Sequence, residues 1–241
     1  MLSSLSIRDY TRLLKRKWYA ATGRPYPYLL SIHIPKTAGR TFREILRAQY
    51  GHEGVLSLDH HYLKQRNEQL EDYPTSHYPV IHGHLPYQQI ARVGLPSSQY
   101  LTWLRHPVDR VISNYYFYRT SEYPDLKKKD PTKQLTPFKR FIRREHRRNV
   151  MSRYLEGIAL EDLFFVGFQE HFNKDVVKLG KKLGWQLAPE HLELRINDNQ
   201  KAKQALPAPT EELISKICAY NDKDLTLYEK ARQLADQGHW D

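Results

Sequence analysis

This 241-residue chain has a single cysteine and no long apolar run, and each shortage excludes a class of protein. Its one cysteine, Cys218, cannot form an internal disulfide or a two-cysteine metal clip, so we expect a reducing compartment. No apolar stretch reaches the roughly 20 residues that span a bilayer, and residues 1–27 lack the apolar core of a secretion signal. The sequence therefore predicts a soluble, cytoplasmic protein.

Acidic residues are scarce next to basic ones, and the excess of positive charge is local. The formal net charge is +11, and residues 119–153 alone contain 12 Lys/Arg against four Asp/Glu. A segment this basic attracts polyanions such as nucleic acids, acidic membrane surfaces and anionic polysaccharides. The alternative interpretation is a solvated helical face that binds nothing.

Internal repeats and low-complexity linkers are absent as well, so we expect one domain with one core. Short apolar runs at residues 28–34, 78–82, 99–104 and 163–166 predict strands. Helices are predicted between and after them, over 41–50, from Pro107, from Pro137, and over 169–183, 210–220 and 222–235. This alternation is typical of an α/β fold with a mainly parallel sheet flanked by helices.

The stretch "YLLSIHIPKTAGRTF" at residues 28–42 places a polar loop between a strand and a helix. Such a loop presents free backbone N–H groups and the positive end of the helix dipole to an anion. Lys36 adds a full charge, Arg40 and two threonines add donors, and Gly39 lets the backbone approach a ligand. The loop lacks the G-x-x-x-x-G-K-[ST] spacing of a Walker A motif. It predicts a phosphate or sulfate site, with an ordinary strand-to-helix turn as the alternative.

A second segment, "LTWLRHPVDRVISNYYFYR" at residues 101–119, has the same order of strand, loop and helix. Arg105 follows the strand and Ser113 lies two turns into the helix, so both can face the crevice at the carboxyl ends of the strands. We interpret them as a second pair of anion contacts. The alternative is that Arg105 pairs with Asp109 and that Ser113 is an inert helix residue.

The histidines His82 and His84 occur in an extended segment, where residues i and i+2 point the same way. A neutral imidazole can take a hydroxyl proton near pH 7, so one interpretation is a general base. A pair of structural histidines is a second interpretation. A metal site is the third, and its further candidate ligands are His60, His61 and His77.

The two loop segments, "IPKTAGRTF" and "LRHPVDRVISNYYF", resemble the cofactor-binding segments of sulfotransferases that use 3′-phosphoadenosine 5′-phosphosulfate (PAPS). Within that superfamily the chain is most similar to the heparan-sulfate 2-O-sulfotransferase-like branch of the carbohydrate sulfotransferases. The branch's histidine segment resembles "VIHGHLPY", and its late strand and helix resemble "LFFVGFQEHFNKDVVKLGKKLGW". The resemblance implies one P-loop-like sulfotransferase domain over 1–241. Residues 28–185 would be its core, 1–27 a basic N-terminal extension, and 186–241 a late loop and C-terminal helices.

This resemblance also implies roles for individual residues. Lys36 would contact the 5′ phosphosulfate and its bridging oxygen, and Arg105 and Ser113 would hold the 3′ phosphate. His82 and His84 are the candidates for the base that deprotonates the acceptor. The cradle around the 5′ end would be formed by Lys36, Thr37, Ala38, Gly39, Arg40, Thr41 and Phe42.

Two further sets of basic residues are candidate binding residues. In "RINDNQKAKQ", Lys201 and Lys203 are candidate phosphate partners of the nucleotide. In the basic segment, four arginines are candidates for holding an anionic acceptor, on the expectation that the helix starting at Pro137 leaves them pointing outward. They are Arg143, Arg144, Arg147 and Arg148.

These roles predict in-line transfer of a sulfuryl group from PAPS to a carbohydrate hydroxyl. We expect no metal, because fixed cations can act where a phosphoryl-transfer enzyme uses magnesium. The acceptor is expected to be an anionic glycan, with a small hydroxylated metabolite or a lipid-linked sugar as competitor. Two other functions stay open, a P-loop-like nucleotide kinase that would need ATP and Mg²⁺, and a basic nucleic-acid-binding protein. The second would leave the Lys36 loop without a purpose, so no nucleic-acid partner is expected.

Overall fold

A parallel sheet organises the chain in this computed structural model, which describes residues 29–59, 63–64, 68–73, 75, 78–93, 100–120, 137–193 and 208–241. Its strands are β1 (Leu29–Ile32), β2 (Val55–Asp59), β3 (Val80–His84), β4 (Tyr100–Leu104) and β5 (Phe165–Phe168). They lie in the order β2-β3-β1-β4-β5, and every pairing between them is parallel. The predicted α/β fold with a parallel sheet is confirmed.

Helices follow the strands and flank the sheet. Thr210 caps the penultimate helix, because its hydroxyl accepts a hydrogen bond from the N–H of Leu213 at 3.3 Å. The described helices are α1 (Gly39–Tyr50), α2 (Tyr87–Ile90), α3 (Pro107–Thr120), α4 (Phe138–Ile142), α5 (Val150–Tyr154), α6 (Phe172–Leu183), α7 (Pro189–Glu193), α8 (Glu211–Tyr220) and α9 (Asp222–Asp236). None of them has both the length and the apolar character needed to cross a membrane.

Several elements differ from the prediction. The edge strand β2 was not predicted, because its five residues include an exposed Ser57 and give only a short apolar pattern. β3 and β5 each begin two residues later than expected. The helix predicted from Pro137 ends after Ile142, and Pro137 is its N-cap rather than its first residue. The helix predicted over 169–183 begins with a 3₁₀ turn, Gln169–His171.

The core is formed by two apolar clusters. In the larger one, Phe42 of α1 and Phe172 of α6 pack on Trp103 of β4, with ring centroids 5.1 and 4.5 Å apart. The second cluster joins α3, α4 and α8, and its fully buried members include Phe141 and Ile217. The sheet is therefore fixed to α1 and α6, whereas α3 is held from outside by helices that come late in the chain.

A buried ion pair joins the C-terminal helices to this framework. Arg110 of α3 and Asp224 of α9 are both fully buried, with Nη2 and Oδ2 3.7 Å apart. Asp224 also accepts hydrogen bonds from the backbone N–H groups of Met151 and Ser152 at the start of α5, at 3.1 and 2.8 Å. One carboxylate thus connects three helices.

The strand order positions the loops that matter for ligands. After β1 the chain builds β2 and β3 on one side, and it then crosses to β4 and β5 on the other. The loops that follow β1 and β4 therefore diverge, and they open a crevice at the carboxyl edge of the sheet, where α/β folds bind ligands.

Candidate active site

The loop between β1 and α1 is held in a strained shape. Lys36 and Ala38 have φ values of 73° and 72°, in the left-handed region that costs a non-glycine residue about 1–2 kcal/mol. The buried Thr37 closes the loop from inside, because its hydroxyl donates to the carbonyl oxygen of Ile34 at 2.9 Å. Backbone turns of this kind direct N–H groups into a concavity that suits an anion. The loop therefore has the backbone form of an anion site.

Lys36 brings a partly desolvated ammonium to this loop. Its Nζ lies 4.2 Å from the ring centroid of Phe117 on α3, a cation–π distance. Burial lowers the pKa of Lys36 from 10.5 to about 8, and the charges of Arg105 and Arg40 lower it too. A cation surrounded by other cations and little water is stabilised by a bound anion.

Arg105 and Ser113 approach the same loop from the β4 side. Nη1 of Arg105 donates to the carbonyl oxygen of Lys36 at 3.4 Å, whereas its Nε is buried and has no acceptor in the described structure. Ser113 is 4% exposed and lies one turn before Phe117 on α3, so both face the Lys36 loop. The loop after β1 and the segment after β4 therefore meet at Lys36, through Arg105 and Phe117.

Burial lowers the pKa of Arg105, while nearby Asp109 and Glu170 favour its charge. Asp109, the partner in the alternative interpretation, therefore acts on Arg105 through its charge, while Nε of Arg105 has no acceptor among the described residues. An unpartnered buried guanidinium N–H costs free energy until a ligand oxygen accepts from it.

Three imidazoles are stacked beside the loop. His33, which follows β1, lies between the two histidines of β3, with its ring centroid 3.9 Å from His84 and 4.9 Å from His82. The planes are inclined by 24° and 20° respectively. His82 and His84 therefore point to one side of the sheet, as predicted for positions i and i+2. We call these three residues the histidine stack.

The two β3 histidines differ in their surroundings. His82 is 2% exposed, and its Nδ1 is 2.9 Å from the hydroxyl of Ser31. Burial, followed by the charges of His84 and Arg43, lowers the pKa of His82 from 6.5 to about 3. His84 is only half-buried, and its Nδ1 is 2.7 Å from the carbonyl oxygen of His33. Since a carbonyl only accepts, Nδ1 of His84 carries the proton and Nε2 is the basic nitrogen.

The edge strand and α1 supply charges next to the stack. Asp59, the last residue of β2, is in register with His84. On α1, Arg43 and Arg47 lie one and two turns beyond Gly39, whose backbone packs against the His33 ring. Both guanidinium groups also donate to one oxygen of Glu44, at 3.2 and 3.0 Å.

A family model described as the sulfotransferase family matches residues 24–231. The chain belongs to the sulfotransferase family. The crystal structure of mouse sulfotransferase SULT7A1 complexed with PAP is similar, with a TM-score of 0.47, 11% sequence identity and 88% of each chain covered. No curated protein matches the chain.

Several predicted site residues of the sulfotransferase have side chains turned into the protein. Phe42 is fully buried and packs on Trp103, so its side chain supports the loop from beneath. Thr37 and Thr41 are also buried. Lys201 and Lys203 lie outside the described residues. The candidate metal ligands His60, His61 and His77 do too, and within the described ranges no group of three or more His, Cys, Asp or Glu has metal-binding geometry.

The outward orientation predicted for the arginines of the basic segment is wrong for most of them. Arg143 is exposed, but it lies in the turn after α4. The Arg147 guanidinium lies 4.8 Å from the ring centroid of Phe141, and Arg148 donates to the Arg143 and Ile142 carbonyl oxygens. Arg144 donates to the hydroxyl of Tyr118 at 3.3 Å. The helix ends too early to align these side chains on one outer face.

Three side chains at the sulfotransferase site were not identified from the sequence. They are His33, Phe117 and Arg43. The signal for His33 was present, because a histidine that closes an apolar strand just before the anion loop must lie at the ligand edge. Phe117 and Arg43 depend on which helix faces meet across the sheet, and periodicity alone does not determine that.

Proposed function

We propose that this sulfotransferase uses PAPS and transfers its sulfuryl group to a carbohydrate hydroxyl, as the resemblance to the heparan-sulfate 2-O branch implies. The observation that carries the proposal is the meeting of two anion positions with a half-buried imidazole. Lys36 and Arg105 are joined by a hydrogen bond across the β1–β4 crevice, and the histidine stack begins three residues before Lys36. A donor with two separate anionic groups fits two separate cationic positions.

The described residues fit the two ends of such a nucleotide. The left-handed loop with Lys36 suits the 5′ phosphosulfate. Nε of Arg105, which has no acceptor in the part of the chain that the structure describes, suits the 3′ phosphate together with Ser113. PAPS supplies the activated sulfuryl group. Lys36 would hold its ammonium beside the departing bridging oxygen, where negative charge develops and a fixed cation is most effective.

His84 is the group that we assign as base. Its Nδ1 donates to the His33 carbonyl oxygen, which makes Nε2 the basic nitrogen, and His84 is half-buried whereas His82 is only 2% exposed. His84 takes the proton of the acceptor hydroxyl as the acceptor oxygen forms its bond to sulfur. The bond from sulfur to the bridging oxygen breaks, and Lys36 stabilises that oxygen.

An anionic acceptor is supported by the charges beside His84. Arg43 and Arg47 lie next to the histidine stack, where they share the carboxylate of Glu44. Three of the four arginines first considered are held instead by aromatic side chains or backbone carbonyl oxygens. Arg43→Gln should therefore raise the KM of a carboxylated or sulfated oligosaccharide several-fold and leave an uncharged one unaffected. The exposed Arg140→Gln is the matched control. Equal KM changes for both acceptors would contradict this assignment.

A thermal-shift titration tests the proposed cofactor. PAP, the desulfated product, should raise the Tm of the unmodified protein, because a ligand that binds the native state stabilises it. ATP with Mg²⁺ and a short DNA duplex are the comparison ligands for the kinase and nucleic-acid alternatives. A larger shift with either of them than with PAP would reject the proposal.

A further inference from the structure

His33 contacts the proposed base, His84, through both its backbone and its ring. Its carbonyl oxygen accepts from Nδ1 of His84 at 2.7 Å, and its ring covers one face of the same imidazole at 3.9 Å. The backbone contact fixes which nitrogen of His84 is basic, and the ring contact fixes the plane in which that nitrogen lies.

The His33 ring is itself held by the cofactor loop. A Cβ at Gly39 would lie 1.8 Å from Cδ2 of His33, so the ring packs directly on the first residue of α1. The N–H of His33 donates to the Gly83 carbonyl oxygen at 2.8 Å, which continues the β1–β3 ladder past the end of β1. His33 therefore connects the loop that would hold the donor with the strand that holds the base.

Burial, helped by the surrounding charges, keeps His33 uncharged. Burial lowers the pKa of His33 well below 6.5, and the nearby His84, His82, Arg43 and Lys36 act in the same direction. Asp59 on β2 is the acidic residue in register with His84. A neutral His33 can lie against an imidazolium on His84 without repulsion, which is the state that proton transfer creates.

We propose that His33 is a positioning residue, which stacks on His84, excludes water from one of its faces and sets its basicity. This inference deepens the proposed function and rests on it for its kinetic part. His33 need not touch either substrate, so its substitution should change the pH dependence of the reaction and leave cofactor affinity unaffected. A residue that only supports the fold would not produce that combination.

Removal of the ring is the central test. In His33→Ala, water reaches the uncovered face of His84 and stabilises its imidazolium, so the pKa of His84 should rise by about half a unit or more. The acid limb of the kcat profile should move to higher pH by the same amount, with kcat lowered at neutral pH and the PAP dissociation constant unchanged. His33→Phe keeps a flat ring over His84 and should restore most of both properties.

Proton NMR titration of the histidine Cε1–H signals separates this inference from the proposed function. It reports the His84 pKa in the cofactor-free protein, whether or not sulfate is transferred. Absence of transfer by the unmodified protein would contradict the proposed function alone. An unchanged His84 pKa in His33→Ala, or an equal shift in His33→Phe, would overturn the role of His33. If His33→Ala does not fold, His33→Gln makes the same comparison, because a flexible amide cannot form the planar cover.

Discussion

At the scale of single residues, the buried charge of Lys36 lowers the free energy of unfolding of the cofactor-free protein. Its pKa falls from 10.5 in the unfolded chain to about 8 in the folded protein, so the unfolded state binds more protons between these values. The charged side chain therefore destabilises the cofactor-free fold below pH 8. This cost is lost as the pH rises from 8 towards 10.5.

Lys36→Met should consequently separate activity from stability. We expect kcat to fall on the order of 10²-fold or more, because the cation at the leaving oxygen is gone. The Tm at pH 7 should equal or exceed that of the unmodified protein, and the difference should shrink by pH 10. Differential scanning calorimetry at both pH values measures this, and near-normal transfer by a folded variant would contradict the assigned role.

The two β3 histidines should respond differently to substitution. His84→Gln should lower kcat by about 10²- to 10⁴-fold with little change in Tm, because a general base is lost from a half-buried position. His82→Gln should chiefly lower the Tm, since His82 is buried and bonded to Ser31. Parallel kinetics and melting curves decide the assignment, and the opposite order of the two effects would give His82 the role of base.

At the scale of elements, we expect the crevice between β1 and β4 to distinguish nucleotides with a 3′ phosphate from nucleotides without one. Arg105→Ala and Ser113→Ala should weaken PAP about 10-fold or more, because charge-assisted hydrogen bonds to one phosphate are lost. Adenosine 5′-phosphosulfate has no 3′ phosphate, so its affinity should change little. Calorimetric titration of both ligands provides the comparison, with Arg140→Ala as an exposed control. Equal losses for the two ligands would mean that these residues are structural.

The elements also show which parts of the fold and of the site can be predicted from the sequence alone. The β1 and β4 loops were predictable, because each combines a buried strand, a polar loop and an amphipathic helix within a few residues. β2 was not, since a five-residue edge strand with one exposed side has too little pattern. The arginines after α4 were misplaced because aromatic side chains of other helices, such as Tyr118 and Tyr220, hold them. Contacts across long sequence separations leave no local signal.

At the scale of the whole molecule, the Arg110–Asp224 pair connects α3 with helices late in the chain. Burial lowers the pKa of Arg110, and Asp224 is the group that favours its charge. Asp224→Asn should cost about 3–5 kcal/mol, because one buried charge is left uncompensated. Urea unfolding measures this, and Glu161→Gln, which removes an exposed contact with Lys230, should change stability little. Equal stability of the two variants would mean that the Arg110–Asp224 pair does not stabilise the fold.

The strand order has a consequence for how relatives of this protein can diverge. β1 and β4, which precede the loops proposed to hold the nucleotide, are interior strands with two neighbours each, whereas Asp59 belongs to β2 at the edge of the sheet. An edge strand is constrained by one neighbour, and substitutions in it disturb fewer contacts. Under the proposed function, acceptor preference can thus change through substitutions in β2 and the adjacent side of α1, while nucleotide binding is inherited unchanged.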